Sequence, residues 1–196
     1  MKYAKLTTSL LLQNGNVPYK CVDSSLTNPA VIVFAGTQNW VDLVVDDLNI
    51  KPVLWPPSKL VSDTMQGRVQ GGFASRTVRL FKEMECFTQY HDDFVVAGHS
   101  LGGACAILLA SLLTYKGKRV SCVYTFGVPK LATSKFQQMY KDQGLWKRTH
   151  NFVTPQDPVV NRIPYFYKSV GEYKELHFES ENAWDHHDLS TYHNCL

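Results

Sequence analysis

Asp93-Phe94-Val95-Val96-Ala97-Gly98-His99-Ser100-Leu101-Gly102-Gly103 joins a buried-type apolar run to a Gly-x-Ser-x-Gly turn, and the turn opens the apolar segment Leu101–Tyr115. A continuous apolar, β-branched run bounded by turn residues predicts a fully buried strand over Asp93–Ala97. Leu101–Tyr115 is apolar on most sides, so a helix packed between the sheet and other elements is expected there. Gly-x-Ser-x-Gly carries chemistry only in this strand–turn–helix setting. The serine then occupies a sharp, strained turn, and the glycines stand where a Cβ would clash with the neighbouring strand and helix. The helix N-terminus beneath Ser100 favours developing negative charge. On composition alone the pattern arises by chance in about one chain in twenty of this size. Its position between a strand and a helix is what makes Ser100 a candidate nucleophile.

Outward from this turn, strand-like and helix-like segments alternate. Ala30–Phe34 predicts a buried strand, Trp40–Leu48 a short helix, and the proline-containing stretch Lys51–Gly67 a loop. Ser75–Tyr90 has helical spacing. Val120–Phe126 predicts a strand, Ala132–Asp142 a helix, His150–Val153 a strand, Pro164–Phe178 an antiparallel extension, and His187–Leu196 a short helix. Such alternation predicts an α/β fold, a mostly parallel sheet with helices on both faces. Right-handed crossovers place the loops at the C-terminal strand ends on one rim. The 196 residues, 44% of them hydrophobic, suffice for one compact core and are too few for two enzyme domains, so a single domain over 1–196 is expected.

The charge balance excludes some partners. Charged residues make up 19% and the net charge is +3, with no Lys/Arg cluster of the kind that binds nucleic acid. Cys86, Cys105 and Cys122 sit among apolar residues, so the five cysteines are expected as free thiols, these three buried. Met1–Gln13 reads as an ordinary helix or strand rather than a signal peptide. The longest apolar run, Ala104–Leu113, is about half a membrane span. A cytoplasmic or peripheral protein in a reducing compartment is the expectation.

A serine nucleophile needs a histidine to take its proton and a carboxylate to hold that histidine, in the chain order Ser, Asp/Glu, His. Asp157, in Thr154-Pro155-Gln156-Asp157-Pro158, follows the fourth strand on the rim, between prolines that restrain its loop. Among late histidines, His177 reads as a strand residue and His193 lies near the chain end, where fraying is expected. Asp185-His186-His187-Asp188 leaves His186 and His187 as the candidates. Adjacent histidines project differently and no further ligands converge in sequence, so no metal and no cofactor are expected. The oxyanion needs two backbone N–H groups, for which Leu101, after the nucleophile, and Thr37, after the first buried strand, are the candidates; taken alone, Thr37 reads equally as the N-cap of a simple strand-to-helix turn.

Together these segments resemble the class 3 lipase family, the fungal-lipase-like α/β hydrolases. Phe34-Ala35-Gly36-Thr37 resembles the family's F-R-G-T segment, with Ala35 for arginine. Val69-Gln70-Gly71-Gly72-Phe73 resembles V-H-x-G-F, with Gln70 for histidine. Gly98–Ala104 matches G-H-S-L-G-G-A in full, and Tyr124–Lys130 resembles Y-T-F-G-x-P-R. Asp157-Pro158-Val159 with Ile163-Pro164 resembles the D-P-V…L-P acid loop, and His187 with Tyr192 resembles the H-S-x-x-x-Y ending. The resemblance spans about residues 30 to 192. It implies an α/β-hydrolase fold, the triad Ser100, Asp157 and His187, an oxyanion hole from Thr37 and Leu101, and the Tyr192 spacing that favours His187 over His186. It further implies hydrolysis of lipid esters at a membrane or micelle surface without a cofactor, and a lid around Gln38–Val45. Trp55, Tyr165, Phe166 and Tyr167 are candidates for an aromatic rim, with core or ordinary surface as the plainer alternative for each. A small-ester esterase or thioesterase and a non-catalytic lipid-binding module are the rival readings.

Overall fold

The computed structural model describes residues 2–13, 18–23, 29–36, 51–57, 66–162 and 166–196. Its strands are β1 (Tyr19–Val22), β2 (Ala30–Phe34), β3 (Pro52–Trp55), β4 (Gly67–Gln70), β5 (Asp93–His99), β6 (Arg119–Phe126), β7 (Thr149–Val153) and β8 (Glu172–Glu175). Its helices are α1 (Lys2–Leu12), α2 (Gly71–Glu83), α3 (Glu85–Tyr90), α4 (Leu101–Tyr115), α5 (Ser134–Asp142), α6 (Pro158–Arg162) and α7 (Leu189–Cys195). Six strands form one sheet in the order β1-β2-β5-β6-β7-β8, and β3 and β4 form a separate antiparallel ribbon. From β2 to β8 every pairing is parallel; only the edge strand β1 runs antiparallel to β2. The expected α/β architecture is therefore present.

The two-residue period of the strands sorts the core into two layers. Ala30, Ile32, Phe34, Phe94 and Val96 face α2, α4 and α5. Val31, Val33, Val95 and Ala97 face the other way, packing with α1 and with Tyr192 of α7. Helix α4 is buried continuously from Leu101 to Leu113, which explains its lack of a polar face. Truncating a side chain such as Leu108, fully enclosed there, costs about 2–5 kcal/mol. Helix α2 is amphipathic, burying Phe73, Ala74, Thr77, Leu80 and Phe81. Gln70 caps it, its Oε1 accepting from the Phe73 N–H at 2.9 Å. Gln70 thus has a concrete task at the position where it departs from the family pattern.

Several boundaries depart from expectation. The Ser75–Tyr90 helix begins earlier, at Gly71, and breaks at Met84, whose φ of −101° and ψ of 14° leave the helical basin. Within the expected loop Lys51–Gly67, Pro52–Trp55 is a strand because its ladder partner β4 follows fifteen residues later in sequence. The stretch Pro164–Phe178 yields β8, which adds to β7 in parallel, not antiparallel. The short helix α6 separates them and supplies the crossover. Cys86 is exposed rather than buried, because it lies on the outer face of α3; Cys105 is buried and Cys122 half-buried, and all five cysteines are free. His193 does not fray: its Nδ1 meets the Thr8 hydroxyl at 2.9 Å, and Lys5 donates to its carbonyl at 2.9 Å. The expected helix at Trp40–Leu48 and lid at Gln38–Val45 lie outside the described residues. Among the described residues no helix is long and apolar enough to cross a membrane.

Candidate active site

The parallel strands deliver their C-terminal ends to one rim, and the candidate residues sit there. Strand β5 ends at His99, Ser100 follows, and α4 begins at Leu101. Ser100 has φ 54° and ψ −126°, the one positive-φ residue other than glycine among those described. An L-residue adopts that conformation only where its surroundings force it. Here the Ser100 N–H donates to the Phe126 carbonyl at 2.8 Å, and the Ser100 carbonyl accepts from the Gly103 N–H at 2.9 Å. The turn is also too tight for side chains on either flank. A Cβ on Gly102 would run into the carbonyls of Phe34 and Ala35, and one on Gly98 into the carbonyl of Gly102. Leu101 is the first residue of α4, so its N–H belongs to the unsatisfied first turn of that helix. Gly36 packs against this turn: a Cβ placed on it would stand 3.2 Å from Ser100 Cβ and 2.9 Å from His99 Nδ1. Thr37, the other oxyanion candidate, lies outside the described residues.

Asp157 lies in the loop between β7 and α6 and is fully buried. A buried carboxylate must be satisfied on all sides. Asp157 Oδ1 accepts from the Val159 N–H at 2.8 Å, and Oδ2 accepts from the Tyr192 hydroxyl at 2.6 Å. The Val160 N–H also reaches Oδ1, at 3.4 Å, and His187 completes the set, its Nδ1 standing 2.8 Å from Oδ2 and 3.0 Å from Oδ1. An ionised carboxylate only accepts, so Nδ1 carries the proton and the Nε2 of a neutral His187 is the acceptor nitrogen. Tyr192 sits close enough to this carboxylate that burial first, and then the Asp157 charge, hold its phenol well above its ordinary pKa. It therefore remains a donor across the working pH range.

His187 ends a single 3-10 turn, Asp185–His187. His186, the other candidate, is fully buried and turned elsewhere: its Nε2 meets the Ser180 carbonyl at 3.2 Å, and its ring stands edge-on to Phe178. Gly127 brings β6 alongside the acid–base pair. It has φ +59°, and a Cβ there would stand 2.6 Å from Asp157 Oδ2 and 2.9 Å from His187 Nδ1. Because Ser100 is bonded to Phe126, the residue before Gly127, the strained serine and the Asp157–His187 pair share one anchor. The structure thus brings Ser100, Leu101, Asp157 and His187 to one place and leaves His186, His177 and His193 out. Trp55 and Tyr167 are core residues, Phe166 is exposed, and Tyr165 lies outside the described residues. Among the described residues no group of three or more His, Cys, Asp or Glu is placed to hold a metal.

A model of the class 3 lipases matches residues 31–167, which include Ser100 and Asp157. The chain belongs to the class 3 lipase family. Among its relatives, the lipase of Rhizomucor miehei is 33% identical over 159 residues, covering 74% of this chain and 40% of that protein. The toxin TseL of Vibrio cholerae is 30% identical over 125 residues, covering 61% of this chain and 18% of that protein. This class 3 lipase chain spans less than half the length of the curated relatives it matches. A solved triacylglycerol lipase whose catalytic centre is formed by a serine-protease triad is 26% identical, with a TM-score of 0.64 over 81% of this chain and 61% of that chain. The LIP2 lipase of Yarrowia lipolytica, 15% identical, superposes with a TM-score of 0.67 over 90% of this chain and 78% of that chain. The fold is that of the α/β hydrolases.

In the sequence Tyr192 stands out only by its spacing from His187, and nothing there marks His99 or Gly127 for a role. Tyr192 had a legible signal, a polar aromatic on the buried side of a terminal helix. The role of Gly127 depends on how closely β6 passes the Asp157 loop, which only the assembled sheet sets.

Proposed function

We propose that this chain hydrolyses carboxylic esters of lipids through Ser100, His187 and Asp157. The observation that carries this is the buried Asp157–His187 pair, bonded at 2.8 Å, on the rim that also carries a serine held at φ 54°. His187 Nε2 takes the Ser100 proton as Oγ attacks the ester carbonyl carbon. Asp157 holds the imidazole in that tautomer and offsets the imidazolium charge. The Leu101 N–H, joined by that of Thr37, receives the oxyanion. Collapse expels the alcohol, which takes its proton from His187 and leaves an acyl-Ser100. Water, deprotonated by His187, then releases the carboxylic acid. Family membership and the lipase names of several relatives support a lipid ester as substrate. Phe166 and Trp184 are exposed large aromatics, Trp184 three residues before His187, and they suit contact with a lipid or micelle surface.

The test is labelling by a fluorophosphonate probe, with and without Ser100→Ala, followed by hydrolysis of p-nitrophenyl esters of increasing chain length with and without micelles. Labelling of the wild type alone, with activity rising for longer chains on micelles, is the expected result. A folded wild type that takes no label overturns the enzyme, and flat chain-length dependence overturns the lipid ester.

A further inference from the structure

His99 has no part in the chemistry above, yet it contacts both His187 and Tyr192 and directly precedes Ser100. It ends β5, on the same side of the strand as Val95 and Ala97, so the two-residue period aims it at the layer that holds Tyr192. Its ring centroid is 4.7 Å from that of His187, the planes tilted by 33°, and 6.1 Å from that of Tyr192. Its Nε2 lies 2.7 Å from the backbone carbonyl of His187. A carbonyl only accepts, so Nε2 carries the proton and Nδ1, on the side of Gly36, does not.

We infer that His99 is a positioning residue for His187, its Nε2–H holding the His187 carbonyl and its ring bracing the His187 ring. This rests on the role proposed for His187. That histidine sits on a turn of three residues, whose own bonds are His187 N–H to the Trp184 carbonyl at 3.0 Å and Asp188 N–H to the Asp185 carbonyl at 3.3 Å. So short a 3-10 segment has little rigidity of its own. His99 ties it to β5, a buried inner strand of the sheet, and the residue that follows His99 in the chain is Ser100. Nucleophile and base are thus located from adjacent residues at the end of β5, His99 and the Ser100 that follows it, which is a shorter path than the one through the acid loop. The charged and titratable groups facing His99 are His187, Asp157, Asp188 and Tyr192. Burial above all, and then the neighbouring His187, push the His99 pKa down to about 4, so the N–H donor stays on a neutral ring in the range where a serine hydrolase works.

The test compares three substitutions. H99Q keeps an amide N–H long enough to reach the carbonyl, H99N is too short to reach it, and H99F keeps a ring without the donor. H99F and H99N are expected to lower kcat for a p-nitrophenyl ester, and the rate of fluorophosphonate labelling, by about 10- to 100-fold with KM changed less than about twofold. H99Q is expected to stay within about threefold of wild type in both. The low-field proton resonance of the His187–Asp157 hydrogen bond is expected to persist in H99Q and to broaden or shift in H99N and H99F. Equal losses in H99Q and H99N, or an unchanged kcat and resonance in H99N, would overturn the inference. If H99F fails to fold, the H99Q and H99N pair decides alone. Because the resonance is read without turnover, an unlabelled wild type would defeat the hydrolase proposal while this outcome is still read separately.

Discussion

Replacing Gly127 with alanine tests how tightly the acid–base pair is enclosed. The added Cβ would stand 2.6 Å from Asp157 Oδ2, 2.9 Å from His187 Nδ1 and 3.0 Å from His187 Cε1, on a residue at φ +59°. Ordinary contact distances are about 3.5 Å, so something must move by several tenths of an ångström. Asp157 cannot easily do so, since the Val159 N–H and the Tyr192 hydroxyl hold its two oxygens at 2.8 and 2.6 Å. His187, on its short turn, gives way, and the 2.8 Å bond to Oδ2 stretches or breaks. A charge-assisted hydrogen bond is worth about 1.5–3 kcal/mol, and the left-handed backbone costs alanine about 1–2 kcal/mol more. The sum, about 2.5–5 kcal/mol, lowers Tm by roughly 10 °C for a chain of this size. Turnover falls by about 10²-fold for a misplaced base, and up to about 10⁴-fold where its orientation is lost. Gly117 is the control: its φ is +76°, but nothing lies within 4 Å of an added Cβ, so G117A carries the backbone cost and leaves activity unchanged. Thermal melts and fluorophosphonate labelling of both variants decide the matter. A G127A protein that labels at the wild-type rate and melts with G117A would refute the tight enclosure.

Tyr192→Phe removes the 2.6 Å hydrogen bond to Asp157 Oδ2 and leaves the carboxylate its bonds to Val159 and His187. Ester hydrolysis is expected to drop by about tenfold, in line with the loss of one hydrogen bond to a charged group, and p-nitrophenyl ester assays at neutral pH check it. On the acid side, the His99 pKa is lowered from 6.5 to about 4. The native state therefore binds that proton less readily than the unfolded chain, and its stability is complete above about pH 6.5 and drains away as pH falls towards 4. Discounted for partial exposure, this amounts to about 2 kcal/mol. Urea midpoints at pH 7, 5.5 and 4.5 are expected to fall less steeply in H99Q than in wild type, and parallel curves would contradict that.

Legibility in the sequence followed how local each cause was. The elbow was readable because a buried strand, two glycines and an apolar helix are contiguous, and the same contiguity placed β2 and β7. Asp157 was readable because prolines bracket it directly after a strand. The antiparallel edge strand β1 and the ribbon strand β3 were not, because each is a short segment that becomes a strand only through a distant partner. The direction of β8 was misread for the same reason: strand polarity depends on whether a crossover intervenes, and α6 is only five residues long. His99 sat within the quoted turn yet revealed nothing, since its partner is a backbone carbonyl 88 residues away.

The choice between His186 and His187 also has a structural reason beyond spacing. Successive residues of a 3-10 turn point about 120° apart, so one histidine of the pair at most faces Asp157. His187 does, and His186 is driven into the core against Phe178. The residue left out still contributes. The His186 carbonyl accepts from the Thr154 hydroxyl at 2.8 Å, and Thr154 opens the loop that carries Asp157. One histidine therefore presents its ring to the acid while its neighbour's backbone ties the same turn to the acid loop. With His99 holding the His187 carbonyl from β5, the turn is fastened on both sides: to the strand that bears the serine and to the loop that bears the carboxylate. A three-residue turn is a weak element by itself. Fastened in this way, it keeps a hydrogen bond of 2.8 Å in register between groups thirty residues apart.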